Sequence, residues 1–152
     1  MGLDMFLEAR RVLWVFDDGT GKDADAAAAI AAALPEMGYL RPQSVTVEAA
    51  YWRKANAIHK WFVDNCQNGR NECQHTYVER TKLQELLDLV NRVLDNPVSA
   101  AELLPAQSGF FFGSTDYDEW YMQDLRYTKA RLEMLLSNEQ LRSWVFYYHS
   151  SW

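Results

Sequence analysis

The stretch GFFFGSTDYDEWY, residues 109–121, decides how the fold is read. Three phenylalanines lie between two glycines, and Ser, Thr and three acids then lead into Trp120 and Tyr121. Glycines permit a sharp entry and exit for a segment whose rings need space. Phe110–Phe112 therefore reads as a short buried strand. Ser114, Thr115 and Asp116 are all N-cap residue types. Asp116 and Glu119 have capping-box spacing, with Asp in place of Ser or Thr. Asp118 and Glu119 suit a first helical turn, where the macrodipole favours anions. A helix is expected from about Asp116 to Leu136, with Tyr121, Leu125, Thr128, Leu132 and Leu135 on its buried face. Trp120, Tyr127 and Met134 recur at a seven-residue interval on a second flank. That flank either packs against a neighbour or forms a partner surface.

Working outward, Leu3–Phe16 reads as a strand or two strand pieces, with Leu3, Met5 and Leu7 alternating with Asp4, Phe6 and Glu8. The alanine-rich DADAAAAIAAAL reads as a helix capped by Asp23 or Asp25. Ser44–Ala49 is strand-like. A helix is expected from near Tyr51, with Ala55, Ile58, Phe62 and Cys66 on its apolar face and Arg53, Asn56, Lys60, Asp64 and Gln67 opposite. HTYVE suggests a short strand. Thr81 and Gln84 suggest a capping box before the stripe Leu83, Leu86, Leu87, Val90 and Leu94. SAAELL reads as a short helix, and the closing WVFYYHSSW as a strand docked in a sheet. The fold class expected is α+β: a single globular domain over residues 1–152, with a small mixed sheet of about four or five short strands against about four helices.

Composition sets outer bounds. The net charge of −6 opposes non-specific nucleic-acid binding, which needs a basic surface. No apolar run approaches membrane-spanning length, and the acid-bearing N-terminus does not read as a secretory signal. Two cysteines make no disulfide framework, so free thiols in a cytosolic setting are expected. Aromatic residues make up 14% of the chain, enough to supply both core and a binding surface.

The candidate site draws on two stretches. YWRKANAIHKW brings Tyr51, Trp52, Arg53, Lys54, His59 and Trp61 together with positive charge, while Ser114, Thr115, Asp116, Asp118, Glu119 and Trp120 supply polar and acidic groups. If the two helix starts face each other, Arg53 or Lys54 pairs with Asp116, Asp118 or Glu119. In a cleft the same groups would grip a polar ligand between rings and charges. His59 sits on the apolar arc and is first read as a satisfied core histidine. No cofactor and no metal are expected. The set His59, Cys66, Cys73 and His75 has zinc-ligand types without a C-x-x-C spacing, and D-x-D-E at 116–119 lacks the glycine and later glutamate of a calcium loop. DDGTGKD fails the phosphate-loop pattern, because Phe16 stands at the first glycine and Asp23 follows Lys22.

Taken together, MGLDMFL (1–7), AYWRKANAIHKWFVDN (50–65), GFFFGSTDYDEWY (109–121) and HSSW (149–152) resemble a family of small proteins encoded by bacteriophages and prophages. The resemblance implies a phage or prophage source and a single domain, and it brings no reaction or catalytic residue. From that source and the charge we expect a non-enzymatic accessory protein in the host cytosol that binds a host protein or defence complex. The alternative is a protein that binds a small polar molecule or nucleotide, with metal-assisted hydrolysis as its enzymatic form.

Overall fold

In a computed structural model, which describes residues 2–152, β1 (Asp4–Val12) is the strand that organises the rest. Its alternation places Leu3, Met5, Leu7 and Ala9 on one face, each at most 1% exposed. On one side it pairs with β2 (Ser44–Arg53), and on the other with β4 (Val145–Ser151). The short β3 (Thr76–Val78) completes the order β2-β1-β4-β3. All three pairings are antiparallel, so the α+β class stands with an antiparallel sheet in place of the mixed one expected. A bulge at Leu7/Glu8 leaves Ala49 without a β1 partner, and consecutive residues Ala49 and Ala50 are both buried.

Five helices accompany the sheet among the described residues: α1 (Ala24–Ala33), α2 (Asn56–Cys66), α3 (Arg80–Asp95), α4 (Ala100–Leu103) and α5 (Glu119–Ser137). The buried residues of α5 are the five anticipated from its periodicity: Tyr121, Leu125, Thr128, Leu132 and Leu135. Helix α2 lays Phe62 flat on Tyr148 of β4, with ring centroids 4.0 Å apart. In α5, Thr128 is fully buried and its Oγ1 accepts from Trp52 Nε1 at 2.8 Å, tying the helix to β2. Only Ala27 of α1 is buried, because a face of methyl groups has little area to remove from water.

Several boundaries differ from expectation; β1 stops at Val12, short of the expected Phe16, and residues 13–16 form no second strand piece. Tyr51, Trp52 and Arg53 belong to β2, not to a helix, since pairing with β1 continues to Asp4↔Arg53. The following helix starts only at Asn56, after Lys54 takes a left-handed φ of 60°. Two residues assigned to the polar face of that helix, Asn56 and Gln67, are buried because each bonds to a loop folded over it. Helix α3 begins at Arg80 with Glu79 at the cap position; Thr81 lies inside the first turn and its hydroxyl donates to Glu79 at 3.2 Å. Asp118, not Asp116, caps α5 by accepting from Tyr121 N at 3.1 Å.

The largest correction concerns Phe110–Phe112, which form a turn and no strand. Asp4 already has partners on both sides, Arg53 and Ser151, so β1 offers no free edge there. The segment keeps a single backbone bond to this region, from Leu3 N to Phe111 O at 3.1 Å. Phe112 N returns to Gly109 O at 3.1 Å, and a Cβ on Gly109 would lie 2.6 Å from the Phe112 ring. Phe112 is thereby driven inward to 6% exposure, while Phe110 stands 95% exposed.

Candidate functional site

The two stretches singled out in the sequence meet at one end of the domain. The end of β2 and the start of α2 form one wall of a cleft of about 350 Å³. The loop before α5 and the first turns of that helix form the other. Arg53, Lys54, Asn56 and Ile58 line the first wall; Gly113, Ser114, Asp116, Asp118, Trp120, Tyr121, Asp124 and Leu125 line the second. That volume lies at the small end of the usual range for ligand sites, roughly 300–1,000 Å³.

Asn56 builds the joint. Its Nδ2 donates to Phe112 O at 3.0 Å and to Ser114 O at 2.7 Å, and its Oδ1 accepts from Gln107 N at 3.0 Å. One buried side chain thus satisfies three backbone groups of a loop that lacks secondary structure. Gly113 is required beside it. Its φ is +86°, and an added Cβ would approach Lys54 Cβ to 3.2 Å. Tyr121 closes the base by donating its hydroxyl to Leu104 O at 2.9 Å, and burial raises its pKa.

The electrostatics of the cleft are unbalanced in an informative way. Arg53 and Lys54 stand on one wall and Asp116, Asp118 and Asp124 on the other. Among the described residues, no ion pair includes any of these five. Asp118 is engaged in capping and Asp116 bonds only with Ser114. Burial, with the charge of Asp118 beside it, raises the Asp124 carboxyl to about 6. Trp120 stands over this arrangement with 74% of its surface exposed.

The remaining predicted residues lie elsewhere. Glu119 does not line this cleft; it pairs with Arg126 at 2.6 Å, which lowers its pKa. The expected bridge from Arg53 or Lys54 to Asp116, Asp118 or Glu119 is not formed. Thr115 is exposed and is not among the lining residues. Tyr51 lies on the other face of the sheet, its hydroxyl donating to Asp4. Trp52 and Trp61 are buried at 2% and 6%, which removes them as contact residues.

His59 is fully buried and structural. Its Nδ1 is 2.7 Å from Tyr148 Oη and its Nε2 is 3.0 Å from Asn71 Oδ1. Since Asn71 Oδ1 is an acceptor, Nε2 carries the proton and Nδ1 accepts from the tyrosine. Burial lowers its pKa, opposed by the bond to Asn71. The seven-residue stripe on α5 is also divided. Trp120 and Met134 are exposed, but Tyr127 accepts from Tyr51 N at 3.1 Å and packs edge-on against Trp52.

Sequence reasoning missed Asn56 and Asp124 as site residues. A signal existed for Asp124, which follows Trp120 by one helical turn and so shares its flank. None existed for Asn56, whose three partners lie more than fifty residues away. Among the described residues no helix is long and apolar enough to cross a membrane. In comparisons with family models, curated proteins and solved structures, nothing matches the chain.

Proposed function

We propose that the protein acts by binding, and that the cleft between β2–α2 and the start of α5 receives a segment of a partner protein. The segment presents a basic side chain to Asp116, Asp118 and Asp124, an acidic group to Arg53 and Lys54, and an apolar or cationic surface to Trp120. The observation that carries this reading is the set of opposed charges lining one concavity with no ion pair among them. Charges held apart in a folded protein contribute little to its stability, and a dipolar ligand satisfies both walls at once. Trp120 adds a large rigid ring at the rim, a residue type that dominates many protein interfaces. The resemblance to phage and prophage proteins supports the partner being a host protein or defence complex in the host cytosol.

The raised Asp124 pKa favours one alternative: a small polar molecule or nucleotide held in the same cleft, with Asp124 as a proton acceptor in a hydrolytic reaction. The experiment that separates the readings is capture from host lysate with the intact chain, followed by Trp120→Ala and Arg53→Ala. A captured protein that is lost with both substitutions supports the partner reading. Capture unchanged by both contradicts it. A small molecule that co-purifies with the parent, and not with Arg53→Ala, supports the alternative. For a captured partner, affinity falls as pH drops below about 6, because protonated Asp124 no longer attracts a cation.

A further inference from the structure

Away from the cleft, the other two histidines meet a carboxylate on the sheet face opposite the helices. Glu8 belongs to β1 and His149 to β4, and His75 immediately precedes β3. In the β1–β4 register Phe6 faces His149 and Glu8 faces Tyr147, so His149 lies diagonal to Glu8. Continuing the β3–β4 register one residue beyond Thr76↔Tyr148 sets His75 opposite His149. One donor atom from each of the three lies within 4.8 Å of the other two. His149 Nε2 is 3.4 Å from Glu8 Oε1, and His75 Nδ1 is 3.8 Å from Glu8 Oε2. The imidazoles stack at 3.9 Å, and the ring of Phe6 backs His149 at 4.8 Å.

We propose that Glu8, His75 and His149 form a binding site for a divalent transition-metal ion of the zinc type. Two imidazoles and one carboxylate are a donor set that suits zinc, copper or nickel and discriminates against magnesium and calcium, which take oxygen ligands. The spacing fits as well. Ligand atoms about 2.0–2.1 Å from a tetrahedral ion lie about 3.3 Å from one another. His149 Nε2 lies 3.4 Å from Glu8 Oε1, close to that edge, and the 3.8 Å from His75 Nδ1 is to the other carboxylate oxygen, Oε2. Coordination requires His75 to swing out of its stack on His149 so that both ring nitrogens face one ion, and its side chain, 60% exposed, has the room to do so. Among the described residues Glu8 and His75 have no other side-chain hydrogen bond, so the ion displaces no competing partner. Three protein ligands leave a fourth position for water or an exchangeable group. The ion ties β1, β4 and the three-residue edge strand β3 together. Of the four residues His59, Cys66, Cys73 and His75 weighed as a zinc set from sequence, only His75 belongs to this site.

The test uses the full chain without an affinity tag, titrated calorimetrically with zinc chloride, and the thermal midpoint with and without zinc. One equivalent is expected to bind and to raise the midpoint. Losing a group that merely supports a metal ligand costs roughly 10–100-fold in affinity, so losing a ligand costs at least about a hundredfold. His149→Ala, Glu8→Gln and His75→Ala are each expected to show that loss. The exposed position of His75 keeps the third variant folded, which circular dichroism checks. Cobalt substitution should give visible bands without thiolate charge-transfer absorption. No zinc uptake, an affinity unchanged by both histidine substitutions, or a thiolate band placing the metal on Cys66 or Cys73 would overturn the assignment.

Discussion

Two runs of three aromatic residues, Phe110–Phe112 and Phe146–Tyr148, meet opposite fates in this protein. The second lies in β4, in the middle of the sheet, and alternates as a strand requires. Phe146 and Tyr148 are fully buried and Tyr147 is half-buried on the other face. The first is a turn in which exposure falls steadily, from a free Phe110 to an enclosed Phe112. Both are greasy and bulky, so composition does not separate them. What separates them is the supply of backbone partners. β4 has β1 on one side and β3 on the other, whereas the 109–113 segment meets a strand end whose two edges are already taken. Unable to join the sheet, it folds back on Gly109, and its Phe112 carbonyl accepts from Asn56. The cleft is the result of that detour.

Substitutions sharpen this comparison. Tyr148→Ala removes the stack on Phe62 and the hydroxyl bonded to His59, and is expected to cost about 4 kcal/mol or more. A loss below about 1 kcal/mol in urea unfolding would deny β4 its place at the centre of the core. Asn56→Ala strands one amide and two carbonyls of the turn, and about 2–4 kcal/mol should be lost. Hydrogen exchange should show the loosening at Gln107, whose amide bonds to Asn56. Gly113→Ala must hold a left-handed φ with a Cβ against Lys54, for a cost of about 1–2 kcal/mol. Phe110→Ser, at the exposed tip, should change stability by less than about 0.5 kcal/mol. If it costs as much as Tyr148→Ala, the two aromatic runs are not different in kind.

The pH dependence is smaller and separable. Burial lowers the His59 pKa below its ordinary 6.5. The unfolded chain therefore takes up a proton near pH 6.5 that the folded one refuses, and this contribution to stability is lost on acidification. Asp124 acts in the opposite sense, since its folded pKa is raised to about 6 and the folded state gains as it protonates. The readout is the difference between parent and His59→Gln: from pH 7 to pH 5 the variant should lose less stability. Equal losses would mean that His59 titrates alike in both states.

Much of this was legible in the sequence. The buried face of α5 and the strand character of β1 follow from hydrophobic period, and that of β4 from its aromatic, apolar content. The stretches holding Arg53, Lys54, Asp116, Asp118 and Trp120 were marked by charge and aromatic content, and they do converge. Tyr51–Arg53 were misplaced on a helix because helix and strand compete closely over a short apolar run, and pairing with β1 decided it. The capping role expected of Asp116 falls to Asp118, a shift that cap geometry sets and spacing does not. Asn56 and the Glu8–His75–His149 cluster depend on contacts across the fold, and no local pattern announces them, whereas Asp124 is readable from its place one helical turn after Trp120.

The central claim is that the charges lining the cleft serve recognition and not folding. It is tested most directly by urea unfolding at pH 7 of Arg53→Ala, Asp116→Asn and Asp124→Asn. We predict that none is less stable than the parent by more than about 0.5 kcal/mol, and that Asp124→Asn gains on the order of 1 kcal/mol because a half-buried carboxylate near Asp118 is removed. A loss of about 2 kcal/mol or more in any of the three would show the charges holding the domain together and contradict the account.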